Sequence, residues 1–132
     1  MQNTKKKGLN LKELNTLLKK WQKNLLLDSW KLSLEIVDFK RKDYKQSGDI
    51  KIDLKNKSAI VLLTKYPFLN EEEVLVHELA HLILWDFDIF CEKIVLEKNR
   101  PLKGQHGKYM DKLENTVEHL TQIALTNKKI QR

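Results

Sequence analysis

The segment 74–85 constrains the fold of this 132-residue chain more than any other segment. A helix made of it would be apolar on nearly every side, because only His77, Glu78 and His81 interrupt the run of apolar residues. A helix of that kind is normally buried. Burying a carboxylate and two imidazoles without partners costs roughly several kcal/mol, so the fold has to supply partners for them. We expect a metal ion to be that partner.

The spacing of the three residues supports a metal site. His77 and His81 are four residues apart, so both imidazoles project from one face of the helix and reach one cation at about 2.0–2.1 Å. Glu78 is rotated by about 100° from His77 and therefore reaches a water beside the metal rather than the metal itself. This is the HExxH arrangement of two zinc ligands and a general base. Zinc lowers the pKa of its water, and Glu78 takes the proton as the water attacks a carbonyl group.

A catalytic zinc ion needs a third protein ligand and one open position. We favour Glu114, because it borders the apolar stripe of the last predicted helix and so lies beside the core. Glu118, one turn later on the same edge, is expected to orient a ligand histidine by accepting a hydrogen bond from it. For both glutamates the alternative is an ordinary solvated helix face. The other candidate ligands are His106, Glu118 itself and His119, followed by Glu92 and Glu97.

Two residues between the motif and Glu114 are candidates for contacts with a substrate. His106 lies in a segment that we predict to be a loop, and it is a candidate for contacting substrate or the oxyanion of the reaction. The alternative is a plain surface histidine. Tyr109 is a candidate oxyanion donor, and core packing is its alternative.

The hydrophobic periodicity predicts one helix followed by three strands. Apolar residues at helical spacing predict a helix over about 11–27, with Asn10 as its N-cap and Glu13 as the reciprocal partner. Alternating apolar residues then predict two strands, separated by a polar stretch that ends in the turn signal Ser47-Gly48. A continuous apolar run predicts a third, more buried strand. The short connections favour antiparallel pairing. The strands cover about 30–36, 50–54 and 59–63.

Two further helices complete the predicted domain. One begins after Asn70 and ends near Trp85, and the other begins near Lys108. Between them, a short helix near 89–95 is one option, and 100–107 resembles a loop. We therefore predict an α+β fold with an N-terminal helix, a three-stranded mainly antiparallel sheet, an active-site helix and a C-terminal helix. The predicted boundaries are a basic tail over 1–8, a single domain over 9–127, and a basic tail over 128–132.

The net charge of +7 first suggests an anionic partner. Six of the 25 Lys and Arg residues lie in the two tails, however, and the remaining 19 face 18 acidic residues. The domain also lacks zinc-finger spacing and a glycine-rich phosphate loop, so we expect no nucleic-acid partner. The alternative that stays open is a non-catalytic basic regulatory or nucleic-acid-binding module with a structural or vestigial metal site.

Other features of the sequence concern the cellular environment. Cys91 is the only cysteine, so an intramolecular disulfide is excluded, and we expect it to be a small buried residue. The lysines near residue 5 precede no apolar run, and no apolar stretch is long enough to span a membrane. We expect a cytoplasmic protein without a membrane partner, and a monomer rather than an obligate oligomer.

Two runs of residues resemble the short zinc peptidases of the gluzincin class, namely His77-Glu78-Leu79-Ala80-His81-Leu82 and Leu113-Glu114-Asn115-Thr116-Val117-Glu118-His119-Leu120. The chain is most similar to small members from phages and mobile elements, and more distantly to ImmA/IrrE-type peptidases. In that group a glutamate opening a Glu-x-x-apolar-polar-x-apolar run is the third ligand, which Glu114 matches. The resemblance implies a zincin-like fold, one zinc ion, and a protein or peptide substrate. It also implies that the substrate pairs with a sheet edge as an added strand.

Overall fold

The computed structural model describes residues 9–37, 48–64, 70–96 and 105–130. The order of helix, three strands and two helices is the predicted one, and it confirms the α+β class. The chain divides within the second helix into two compact units, Met1–Leu79 and Ala80–Arg132. The predicted tail over 1–8 lies outside the described residues. The elements are α1 (Leu11–Asn24), β1 (Lys31–Val37), β2 (Gly48–Asp53), β3 (Ser58–Thr64), α2 (Glu71–Val95) and α3 (Gln105–Ile130).

Helix α1 begins as the sequence predicts. The Asn10 side chain accepts a hydrogen bond from the Glu13 amide at 2.8 Å, and the Glu13 carboxylate accepts one from the Asn10 amide at 2.9 Å. This reciprocal pair satisfies two amides that no carbonyl of the helix can reach. The helix ends at Asn24, earlier than predicted. One face is buried through Leu14, Leu18 and Trp21.

The sheet differs from the prediction in its topology. Its order is β1-β3-β2, with β2 antiparallel to β3 and β1 parallel to β3. The predicted mainly antiparallel sheet is therefore wrong, and the sheet is mixed. Short connections indicate only how strands that are consecutive in sequence pair with each other. Residues 38–57 between β1 and β3 are long enough for the crossover that a parallel pair needs, and they contain β2 itself.

The central position of β3 agrees with its composition. Its residues 59 and 61–63 are buried. Strand β2 alternates between exposed and more enclosed positions, and β1 alternates as far as Glu35, whereas Ile36 is exposed. A strand covered on both faces has a nearly continuous apolar sequence, while a strand covered on one face alternates. Leu54, predicted to be in the second strand, lies in the turn between β2 and β3 and is exposed.

Helix α2 extends to Val95, well beyond the predicted end near Trp85. The expected burial of this helix holds for most of 75–82 and not beyond it, because Ile83 and Phe87 are exposed. Cys91 is partly exposed rather than buried. None of the helices in the described part of the chain is long and apolar enough to cross a membrane. The buried apolar residues of α2 are Leu75, Val76, Leu79, Ala80 and Leu82.

The start of α2 is bound to the N-terminal part of the first unit. The amide of Leu9 donates hydrogen bonds to both carboxylate oxygens of Glu71, at 2.9 and 3.0 Å. The indole Nε1 of Trp21 donates to Glu72 Oε2 at 2.7 Å, and the Lys20 ammonium lies 3.8 Å from the same oxygen. The glutamates therefore do more than complement the helix dipole, which was the reason for expecting acidic residues there.

Helix α3 begins at Gln105, so His106 and Gly107 lie in its first turn rather than in the predicted loop. The helix continues to Ile130 and includes the start of the predicted C-terminal tail. Val117 and Thr121 are completely buried. The remainder of the predicted loop, up to residue 104, is outside the described residues.

Candidate metal centre

Three side chains form the metal-ligating group that the described residues contain: His77, His81 and Glu114. One ligand atom of each lies within 4.8 Å of those of the other two. His77 and His81 lie one turn apart on helix α2, and Glu114 lies on α3. Within the second unit, Nε2 of His81 lies 2.9 Å from Oε2 of Glu114. The structure thus brings together the three residues predicted as ligands.

The donor set suits a zinc ion. Two imidazole nitrogens and one carboxylate oxygen are ligands that zinc takes in catalytic sites, at about 2.0–2.2 Å. Donors in a tetrahedral zinc site lie about 3.4 Å apart. The 2.9 Å between His81 and Glu114 therefore has to open by only about half an ångström. The Glu114 side chain is 51% exposed, so solvent reaches this edge of the site.

No protein-family model, curated protein or solved structure shows significant similarity to this chain. The resemblance to gluzincin peptidases thus rests on the motif residues themselves.

Glu78, the predicted general base, is one of three buried polar residues in the described part of the chain. Its exposed fraction is 8%, although it neighbours a ligand that is only partly enclosed. It does not belong to the group of ligand atoms. A buried carboxylate beside a ligand histidine, but outside the ligand set, is what the HExxH interpretation requires of its base.

The approach of β2 to α2 next to Glu78 depends on a glycine. A Cβ atom on Gly48 would lie 2.6 Å from Cγ1 of Val74 and 3.5 Å from Cγ of Glu78. The first distance is far below a van der Waals contact, so a side chain at this position would force the strand and the helix apart. The sequence indicated only a turn at Gly48. The close packing depends on strand pairing, which leaves no local signal.

Two further polar contacts join α2 and α3 beyond the ligand pair. The Tyr109 hydroxyl donates to the carboxylate of Asp88, and it also lies 3.0 Å from the Asp88 carbonyl oxygen. His106 Nε2 lies 2.9 Å from Glu92 Oε2. The three contact residues on α2 are, in sequence order, His81, Asp88 and Glu92. Their partners on α3 follow in reverse sequence order, as Glu114, Tyr109 and His106. The two helices therefore lie antiparallel in a register that places the third ligand opposite the second histidine.

The environment of Tyr109 keeps its hydroxyl protonated. Burial raises the pKa of the phenol, and the hydrogen bond to Asp88 and the negative charge of that residue raise the pKa further. Asp88 is itself buried. Asp88 is not among the residues predicted for the site. Its position two turns after His81, on the same side of α2, is the signal in the sequence that places it near the ligands. The oxyanion role of Tyr109 stays a prediction.

The remaining candidates are distributed along both helices. Glu118 and His119 are exposed on α3, and Glu118 accepts a hydrogen bond from Gln122 Nε2 at 3.0 Å. The roles predicted for Glu118 and for His106, whose ring contacts Glu92, are untested by this geometry. Glu97 lies outside the described residues. A shallow groove along α3 contains none of the three ligands and is lined by Asn115, Glu118, His119, Gln122, Ile123, Thr126 and Asn127.

Proposed function

We propose that this protein is a zinc-dependent metallopeptidase that hydrolyses peptide bonds. The observation that carries the proposal is the convergence of His77, His81 and Glu114, with ligand atoms within 4.8 Å of one another. The burial of Glu78 beside His77 supports the role of base. A zincin-like fold and a cytoplasmic location belong to the same proposal.

Each residue has a separate role in this proposal. His77, His81 and Glu114 would hold the ion through three donors and leave one position of a tetrahedron open. Zinc, when bound, supplies Lewis acidity that lowers the pKa of water and polarises a carbonyl group. Glu78 accepts a proton from the attacking water and donates it to the departing amine nitrogen, so that the carboxylate is regenerated.

The sheet supports a peptide as the substrate. Among the described strands, β1 and β2 lie at the two edges of the sheet, and β2 is the one whose first residue approaches α2. An extended peptide can pair with such an edge through main-chain hydrogen bonds. Gly48, the first residue of β2, packs against the side chain of Glu78. A peptide added to this edge would therefore run close to the proposed base.

Metal analysis and one substitution test this proposal. We expect the purified protein to bind one zinc ion per chain. Glu78→Gln should retain the zinc and lose peptide hydrolysis by at least about 100-fold, because general-base catalysis contributes about 10²–10⁴-fold. The matched control is Glu35→Gln, which removes an exposed carboxylate from β1. It should leave both zinc content and hydrolysis unchanged.

Two outcomes contradict the proposal at different levels. A protein that takes up no zinc is not a zinc enzyme. A Glu78→Gln variant that cleaves peptides as fast as the wild type assigns the base to another residue. The non-catalytic alternative predicts instead that the wild type and the Glu78→Gln variant both bind nucleic acid in a salt-dependent manner, and that neither cleaves peptides.

A further inference from the structure

Four large apolar side chains form an exposed stripe on the second half of α2. They are 48%, 67%, 63% and 40% exposed, in the order Ile83, Phe87, Phe90 and Ile94. Their successive spacings of four, three and four residues confine them to a sector of about 60° on the helix surface. At about 200 Å² for a phenylalanine, the stripe exposes roughly 400 Å² of apolar surface. The largest apolar patch on a typical monomer is of about this size and is often functional.

The spacing of this α2 stripe is that of a coiled-coil seam. Residues alternating at intervals of three and four occupy the a and d positions of a heptad, which pack into the holes of a second helix. The positions beside the seam, which often carry charges in coiled coils, hold Asp86 and Lys93 here. Both residues are exposed, they lie on the same edge of the stripe, and they have opposite charges.

We propose that the α2 stripe is the interface of a homodimer in which the two copies of α2 pack antiparallel. In that arrangement Phe87 packs against the partner's Phe90, and Ile83 packs against the partner's Ile94. The stripe is therefore complementary to itself, as a two-fold interface must be.

The flanking charges select the antiparallel direction. An antiparallel pair places Asp86 opposite the partner's Lys93, and the symmetry repeats this ion pair. A parallel pair would instead place Asp86 beside the partner's Cys91, where no opposite charge is available. Asp86 and Lys93 are therefore complementary to the same two residues of a second copy when the helices are antiparallel.

The interface leaves the proposed metal centre accessible on α2. His77 and His81 are rotated by about 110° to 150° around the helix from the middle of the stripe. With the flanking side chains included, the two copies would bury about 1,000 Å², at the lower end of specific interfaces. We expect a dimer that dissociates at about micromolar concentration, in contrast to the monomer expected from the sequence.

Sedimentation velocity on the full chain, from about 1 to 300 μM, tests the proposal. The wild type should shift from monomer to dimer over this range. Phe87→Asp with Phe90→Asp should remain monomeric at every concentration. The control Ile123→Asp changes an apolar residue on α3 that is 45% exposed, and this variant should dimerise like the wild type.

The direction of packing is tested by exchanging charges. Asp86→Lys should weaken dimerisation at least tenfold, because two lysines then face each other. Adding Lys93→Asp should restore it. A wild type that is monomeric at 300 μM overturns the dimer, and so does a dimer that survives the double aspartate substitution. A failed charge rescue overturns the antiparallel arrangement.

Zinc content and hydrolysis, measured on the same variants, separate this proposal from the proposed function. Both should persist in the monomeric variant. A monomeric wild type whose hydrolysis is lost in the double aspartate variant would assign the stripe to substrate binding and would contradict the dimer.

Discussion

The backbone of Gly48 lies so close to the side chain of Glu78 that a Cβ atom on the glycine would be 3.5 Å from Cγ of the glutamate. The same Cβ would overlap with Val74, one turn earlier on α2, at 2.6 Å. The close approach of β2 to the part of α2 that precedes the proposed base therefore depends on a residue that has no side chain.

Gly48→Ala should destabilise the protein by forcing β2 away from Val74 of α2. We expect the free energy of unfolding to fall by about 1–3 kcal/mol, which is typical of overpacking in an enclosed position. The measurement is urea denaturation, with peptide hydrolysis as a second readout. Gly107→Ala is the matched control, because a Cβ on that residue meets nothing within 4 Å and alanine favours the helix. Equal stability of the two variants would contradict the close packing.

Removal of Glu114 should weaken zinc binding more than removal of its neighbours on α3. We expect Glu114→Ala to lower zinc affinity by well over 100-fold, since it deletes a ligand. Glu118→Ala should cost about 10–100-fold if that residue orients a ligand histidine. His119→Ala should have no effect. Competition with a chromophoric chelator measures all three, and a larger loss in Glu118→Ala than in Glu114→Ala would identify Glu118 as the ligand.

Zinc should stabilise the folded protein through the two histidines. A ligand that binds only the folded state adds about 2.7 kcal/mol to the free energy of unfolding when its free concentration is 100 times its Kd. We expect thermal unfolding to shift upwards with zinc in the wild type. The shift should disappear when His77 and His81 are both replaced by alanine. A shift that persists in that variant would indicate zinc binding elsewhere.

Tyr109→Phe should destabilise the packing of α3 on α2. It deprives the buried Asp88 carboxylate of a hydrogen bond, and a bond to a charged group is worth about 1.5–3 kcal/mol. Chemical denaturation at neutral pH measures the loss. The half-buried pair of His106 and Glu92 supplies the control, because His106→Gln should cost less than about 1 kcal/mol.

The pH dependence of the Tyr109 contribution has a definite sign. Its pKa is raised in the folded state, so its stabilising effect is complete below the unfolded value of about 10 and declines as the pH rises above it. The stability difference between the wild type and Tyr109→Phe should therefore shrink above pH 10. Absorbance near 295 nm provides a direct test, since one of the three tyrosines should ionise later than the others and be missing in the variant. A titration curve identical in shape for both proteins would contradict the raised pKa.

Features that depend on neighbouring residues in sequence could be predicted. The Asn10–Glu13 cap and the spacing of His77 and His81 are local patterns, and each is present in the structure. Glu114 could be chosen because its position at the edge of an apolar stripe limits where its side chain can point. The strand order could not be predicted, since alternation identifies strands but not their partners.

The extent of α2 was missed for a different reason. Apolar residues at helical spacing normally indicate the buried face of a helix. Phe87 and Phe90 are apolar but exposed, so the pattern beyond Trp85 does not identify a single buried face. At the start of α3, Gly107 in the sequence favours a loop. In the structure it lies inside the first helical turn.

The contacts of Glu71 and Glu72 with Leu9 and Trp21 have a practical consequence for protein engineering. The helix that carries both histidines is held at its first turn by groups more than fifty positions earlier in the chain. Deleting residues up to and including Asn10 should therefore remove both the amide that binds Glu71 and the cap of α1. The damage would reach the metal ligands without any of them being altered.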